Sequence, residues 1–241
     1  MNVQEANREA EAKDGTLTDR AYLSLRRDIL QGAFKPGQPM RLESLKDRYG
    51  VGFSPLREAL NRLHSEQLVD VAALRGFRIA RMSLPQMWDN IETRILIETE
   101  ALKRSIKKGG DIWEANLVSS FHSFQKGAQR LLSSTRSFTQ SEFDEFESRH
   151  HDFHNALIAA AESPTLARLS EQMYHLTERY RRPALAKTSY QGQTLQRDHA
   201  QIMEAALARK PNLACDLLAA HYRKTGKLIE GMFNENSKPF D

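Results

Sequence analysis

Three of the chain's eight histidines fall within five positions of RHHDFHNALIAAAESP, Arg149–Pro164. His150 and His154 stand four apart, so a helix places both rings on one face. His151 points about 100° away from His150 and reads as a bystander. His199 and His221 lie on two later segments that also carry an apolar face. Neutral imidazole is the commonest metal ligand in proteins. Helical bundles assemble such sites from side chains on facing helices. The plainer reading of any one ring is a satisfied core residue, and His64, His122 and His175 occur without such partners. Spacing alone does not say which rings converge.

The elements that must position these rings follow from periodicity and punctuation. From Met82-Ser83 to Asn234 the chain reads as long helices near 84–108, 112–133, 141–162, 164–186, 193–209 and 211–233. Gly109-Gly110, Ser163-Pro164, 187–192 and Lys210-Pro211-Asn212 separate them, and 133–137 is a polar loop. Ser163 caps and Pro164 opens its helix, since proline lacks an N–H that would be orphaned there anyway. An all-helical antiparallel bundle is expected.

The first third has another texture. Leu23, Leu25, Ile29 and Leu30 space an apolar helical face that Gly32 ends. Phe34-Lys35-Pro36-Gly37 is a turn, and Leu42, Leu45 and Tyr49 face inward on a short helix stopped by Gly50. Ser54 is expected to cap the next helix with Pro55 at its first position, and Leu56, Leu60 and Leu63 to face inward. Residues 68–71 and 77–80 alternate like strands around Leu74-Arg75-Gly76. Helix, helix, tight turn, helix and hairpin make a winged helix-turn-helix, whose third helix would enter a major groove. The fold class is mostly α. A disordered arm is expected over 1–15, a winged helix-turn-helix domain over 16–82, a helical domain over 83–234 and a tail over 235–241.

Charge fits that division. The net charge is +4, but residues 16–82 hold 12 Lys/Arg against 7 Asp/Glu, while residues 83–241 hold 21 against 20. A basic module on a near-neutral body suits binding to a polyanion. One cysteine, Cys215, excludes a disulfide within the chain and suits a reducing compartment. It reads as a buried small hydrophobe. No apolar run approaches the roughly 18 residues of a membrane span, and MNVQEANREAEAKDG has no signal core. A cytoplasmic location with no membrane partner is expected.

The segment GVGFSPLREALNRLHSEQLV, Gly50–Val69, within Tyr22–Ser83, resembles the DNA-binding domain of GntR-type bacterial transcription regulators. The remainder resembles the FCD effector-binding domain of their FadR-like branch. The variant GVGFSPLREAL is most similar to the subgroup containing the carbon-starvation-induced regulator, which implies control of small organic acid catabolism. The resemblance implies a metal site built by His150 and His154 in HHDFH, His199 in RDHAQIMEAAL and His221 in AAHYRK, with Arg94 and Glu98 toward the effector. It implies zinc, with nickel as the alternative.

Two departures from the family pattern carry chemistry. The family's acidic ligand falls on His150, so the shell is four imidazoles without a carboxylate. Asp152 lies two residues away on another helical face. One charge unit at about 4 Å and an effective dielectric near 20 is worth up to roughly 4 kcal/mol before desolvation, which favours a more highly charged anion such as a dicarboxylate. Loss of metal binding, with the anion held by histidines and Arg94, is the other outcome. Phe53 stands where relatives carry a guanine-reading arginine. It cannot fork onto guanine O6/N7 but can touch a thymine methyl, so a different operator is expected.

The resemblance implies DNA contacts from Arg41, Lys46, Arg48, Phe53, Ser54 and Arg57, with Arg75 and Gly76 at the wing tip. The expected protein is a homodimeric regulator, a repressor, on a near-palindromic double-stranded operator with half-sites about one helical turn apart. A small carboxylate or dicarboxylate would release it, meeting metal and the planar fork of Arg94. The alternatives are a regulator that senses the metal itself, and a helical-bundle metalloenzyme. Against an enzyme, the chain has no His-Glu-x-x-His, and Glu98 is the one candidate base.

Overall fold

The computed structural model describes residues 15–72, 76–133, 139–187 and 192–235. The arm over 1–14, the tip Ala73–Arg75, most of the polar loop and the end of the tail lie outside the described residues. The helices are α1 (Leu17–Leu30), α2 (Leu42–Tyr49), α3 (Phe53–Ser65), α4 (Leu84–Lys108), α5 (Asp111–Ser133), α6 (Gln140–Ile158), α7 (Pro164–Lys187), α8 (Gly192–Leu207) and α9 (Pro211–Glu235). The strands are β1 (Val69–Ala72) and β2 (Gly76–Ile79). Two compact units result, one drawn from Met1–Gln86, His175–Ala186 and Met232–Asp241, the other from Met87–Tyr174 and Lys187–Gly231. Helix α7 thus gives residues to both.

In the first unit, a capping box starts α1: the Thr16 hydroxyl accepts from the Asp19 N–H while the Asp19 carboxylate accepts from the Thr16 N–H. Helix α2 ends at Gly50, whose left-handed φ of 66° costs glycine no Cβ clash. Leu25, Leu56, Leu60, Leu63 and Leu68 are fully buried in one core. Each contributes roughly 1.5–3 kcal/mol by leaving water. The strands pair antiparallel with Val69 opposite Ile79 and Ala72 opposite Gly76.

The apolar face of α1 differs from the expected one. Leu23 is 62% exposed, and Ala21 takes its place beside Leu25 and Leu30. Positions 23 and 25 diverge by about 200° on a helix, so both cannot face one core. Helix α3 also begins two residues earlier than expected. Gly52 is its N-cap, without a side-chain cap bond, and Ser54 lies inside the first turn. Pro55 is still tolerated, because none of the first turn's N–H groups has an intrahelical acceptor.

The C-terminal part of α7 closes the first unit. Arg179 donates to the Gln67, Ala80 and Arg81 carbonyls at 2.7, 2.6 and 3.2 Å. Glu178 accepts from Arg26 at 2.7 Å. Burial pushes the Glu178 carboxyl up, but the His175 hydrogen bond and the Arg26 and Arg181 charges outweigh it and hold the group below its ordinary value.

The second unit is the helical bundle. A second capping box, Thr139 with Glu142, starts α6. The helix expected to run to residue 162 stops at Ile158, tightens into the 3₁₀ turn Ala159–Ala161 and reverses at Glu162, φ 52°. Pro164 disfavours the α conformation at Ser163, in keeping with an exit before it. Ser163 then caps α7 through the Leu166 N–H at 3.4 Å. Helices α4 and α9 approach closely at Gly226, where an added Cβ would lie 2.6 Å from the Trp88 ring and 2.9 Å from Ile91. Among the described residues, no helix is long and apolar enough to cross a membrane.

Candidate DNA-reading face and candidate metal centre

Helix α3 has two faces. Leu56, Ala59, Leu60 and Leu63 are buried. On the other side, Phe53, Ser54, Arg57 and Asn61 are exposed. Phe53, Arg57 and Asn61 are four apart and share one stripe. Glu58 and Arg62 are occupied within the unit, by Thr18 at 3.1 Å and Asp19 at 2.7 Å. The stripe is the candidate surface for a groove. Asn61 was not among the residues singled out from sequence; its place four beyond Arg57 is the signal that could have found it, and an amide can grip adenine bidentately.

Arg41 occupies the N-cap position of α2 and is exposed, as are Lys46 and Arg48. The Lys46 ammonium sits 5.3 Å from the Phe53 ring centre. Arg48 holds Asp28 at 2.7 Å and lies 4.9 Å from the Phe34 ring, so a phosphate would have to compete with that carboxylate. Gly76 opens β2 opposite Ala72. Arg75 lies outside the described residues.

The four expected metal ligands meet. His150 and His154 from α6, His199 from α8 and His221 from α9 are all at most 6% exposed. Each offers a ring nitrogen, and these atoms lie within 4.8 Å of one another. Three Nε2 atoms form a triangle: His150 to His199 3.0 Å, His150 to His154 3.1 Å, His154 to His199 3.2 Å. A neutral Nε2 carries either one hydrogen or one lone pair in the ring plane. Each can therefore join one hydrogen bond, and a triangle of three can hold only one. A single cation satisfies all three together. With metal–nitrogen bonds of about 2.0–2.1 Å, two ligands on one ion stand roughly 2.9–3.4 Å apart. The observed edges fall in that span, so the donor set fits a divalent metal.

Phenylalanines wall the cluster. Phe124 lies 4.7 Å from the His199 ring and 5.5 Å from His150, and Phe146 stacks parallel to His150 at 6.0 Å. Burial holds His154 well below its ordinary pKa, and the surrounding imidazoles and Arg94 add to the shift. It is neutral at physiological pH, the form that ligates.

Arg94 and Glu98 come together on α4, buried, with Arg94 Nε donating to Glu98 Oε1 at 2.7 Å. Ser170 of α7 donates to the same oxygen at 3.0 Å. The Tyr222 hydroxyl bonds the other Glu98 oxygen and lies 2.9 Å from His154 Nδ1. Sequence reasoning missed Ser170 and Tyr222, because only the packed helices bring them to Glu98. Glu147, one turn before His150, is also buried but is not one of the four convergent groups. His151 turns elsewhere, to Glu171 at 2.9 Å and onto the Tyr174 ring at 3.8 Å. His64 bonds the Val69 carbonyl and His175 meets Arg26, at 2.8 and 2.6 Å.

A three-helix unit with a two-stranded wing, joined to a helical bundle around a buried polar cluster, defines a winged helix-turn-helix transcription regulator with a sensing domain. Residues 17–79 match the family model of bacterial regulatory proteins of the gntR family, and residues 89–224 match the FCD domain. The chain belongs to the GntR family of DNA-binding transcription regulators, and its fold is that of regulators, not enzymes. It is 35% identical over 205 residues to the HTH-type transcriptional repressor GlaR of Escherichia coli K12, covering 83% of this chain and 90% of GlaR. It is 35% identical over 214 residues to the HTH-type transcriptional regulator BphR of Paraburkholderia xenovorans LB400, covering 89% of this chain and 85% of BphR. The solved structure of E. coli McbR/YncC superposes with a TM-score of 0.70 at 18% identity, over 91% of this chain and 99% of that one.

Proposed function

We propose that this protein is a cytoplasmic, homodimeric repressor that binds a near-palindromic operator and is released by a small carboxylate held at a metal in the four-histidine pocket. Residues 16–82 are its reading module and 83–234 its sensing module. The observation that carries the sensing part is the triangle of Nε2 atoms at 3.0–3.2 Å. His150, His154, His199 and His221 would hold the ion, zinc first and nickel second. The ion would supply a positive centre for an anion. Four neutral imidazoles leave its charge undiminished, which favours a dicarboxylate over a monocarboxylate. Arg94 lies beside the cluster as the second anion partner. The repressor sign is supported by the name of GlaR.

On the DNA, Phe53, Ser54 and Arg57 would meet the major groove and Arg41, Lys46 and Arg48 the phosphates, with Arg75 and Gly76 as further contacts. The effector must bind the two arrangements of the dimer with different affinity, or it shifts nothing. A second reading, in which the metal itself is the signal, is favoured by the four-histidine set: four protein ligands close a tetrahedral shell and leave no open position.

One experiment tests both. Metal content is measured on protein purified without a histidine tag, beside His154→Ala and His221→Ala. DNA affinity is then followed with zinc alone, zinc plus succinate, and zinc plus acetate. Release that requires zinc and succinate together supports the first reading. Release or tightening by zinc alone supports the second. No zinc in the wild type, and none taken up, overturns both metal readings and leaves an organic-anion pocket around Arg94.

A further inference from the structure

Glu98 is held from two sides on one oxygen. Arg94 Nε and Ser170 Oγ both donate to Oε1, at 2.7 and 3.0 Å. The other oxygen, Oε2, receives the Tyr222 hydroxyl. The Tyr222 oxygen in turn lies 2.9 Å from His154 Nδ1. All three of Glu98, Tyr222 and His154 are at least nine-tenths buried, so water does not compete for these bonds. Tyrosine has one hydrogen to give. With it donated to the carboxylate, the phenolic oxygen can only accept from His154, and His154 must carry its proton on Nδ1. Its Nε2, the atom that faces His150 and His199 at 3.1 and 3.2 Å, is then a bare lone pair.

We propose that Tyr222, anchored by Glu98, is a positioning residue for the histidine site: it fixes the tautomer of His154 that presents Nε2 as a ligand. The proposal rests on the metal reading above for its purpose, but its content concerns a proton in the metal-free protein. It assigns Glu98 a role through His154. The carboxylate absent from the direct ligand set stands two hydrogen bonds behind it. Outer partners of this kind orient the ring and raise its basicity.

The geometry makes an unusual variant decisive. In Glu98→Gln, Arg94 and Ser170 still demand an acceptor at the Oε1 position, so the amide oxygen goes there. The amide NH₂ then faces Tyr222 and donates to it. The tyrosine hydrogen then turns to His154 Nδ1, 2.9 Å away, which drives His154 to the Nε2–H tautomer. Tyr222→Phe removes the anchor without inverting it.

The test is long-range ¹⁵N–¹H correlation on selectively histidine-labelled, metal-free full-length protein, which separates Nδ1–H from Nε2–H rings, with His154 assigned by His154→Ala. Zinc affinity is measured alongside by competition with a chromophoric chelator. The expected result is Nδ1–H at His154 in wild type, a mixture in Tyr222→Phe and Nε2–H in Glu98→Gln. Zinc binding should weaken roughly 10–100-fold in both variants. Circular dichroism confirms that each variant is folded. An Nε2–H tautomer in wild type, or Nδ1–H retained in both folded variants, overturns the proposal. Zinc failing to bind wild type with the tautomers as expected overturns the metal reading alone.

Discussion

The reading face of α3 and the histidine cluster are built by opposite rules. Phe53, Ser54, Arg57 and Asn61 are exposed, so any partner they take must come from outside. His150, His154, His199 and His221 are buried, with ring nitrogens within 4.8 Å of one another. An exposed face binds a polyanion by many replaceable contacts, each worth little and screened by salt. A buried cluster has no solvent to fall back on, so each member carries a large share. Damage should therefore be graded on the DNA side and close to all-or-none in the pocket.

The largest expected effect is at the cluster. His154→Ala should abolish stoichiometric zinc uptake, a loss beyond the roughly 10–100-fold typical of outer-partner changes. Metal analysis after dialysis checks it, and retention of one equivalent would break the contrast. Next comes the bundle itself. Gly226→Ala places a Cβ 2.6 Å from Trp88, and such overpacking costs about 1–3 kcal/mol. Chemical denaturation should show the loss, with unfolding of the second unit shifted most.

On the reading face, Arg57→Ala should cost about 1–3 kcal/mol on the operator and relax preference at one base pair. Lys46→Ala should weaken all sequences alike and lower the salt slope by about 1. Binding titrations at several salt concentrations separate the two. Equal effects on operator and random DNA would mean that Arg57 touches phosphate only.

The smallest effect is alkaline. Burial, reinforced by the Glu66 hydrogen bond, pushes the Tyr22 phenol up to about 12. Its folded value lies above its ordinary 10.0, so its contribution to stability is complete below pH 10 and is lost as pH rises through the folded value. Phenolate absorbance of the native protein should show this tyrosine lagging behind those of the unfolded chain.

Much of this was legible in the sequence. The breaks at Gly109-Gly110 and Lys210-Pro211 follow from glycine and proline punctuation, which acts locally. The pair His150 and His154 follows from a four-residue period. What was hidden depended on packing. Ala21 replaces Leu23 on the buried face of α1 because the core chooses a direction, not the larger side chain. Ser54 reads as a cap, yet Gly52 takes that place; both are acceptable there, and the surrounding turn decides. Tyr222 adjoins His221 but serves His154, on another helix, and no periodicity within α9 could reveal that.

The contact of Trp88 with Gly226 has an optical consequence. Trp88 lies six residues before Arg94 on α4, and Gly226 lies one turn beyond Tyr222 on α9. Any slide of one helix along the other must drag the indole across the bare backbone at Gly226. The only other tryptophan in the chain, Trp113, is buried and donates its indole N–H to the Ala156 carbonyl at 2.8 Å. Replacing Trp113 with phenylalanine would leave one native fluorophore seated between the two helices that supply Arg94, Glu98, His221 and Tyr222. Its emission would then report, without a label, how the bundle responds to metal and anion.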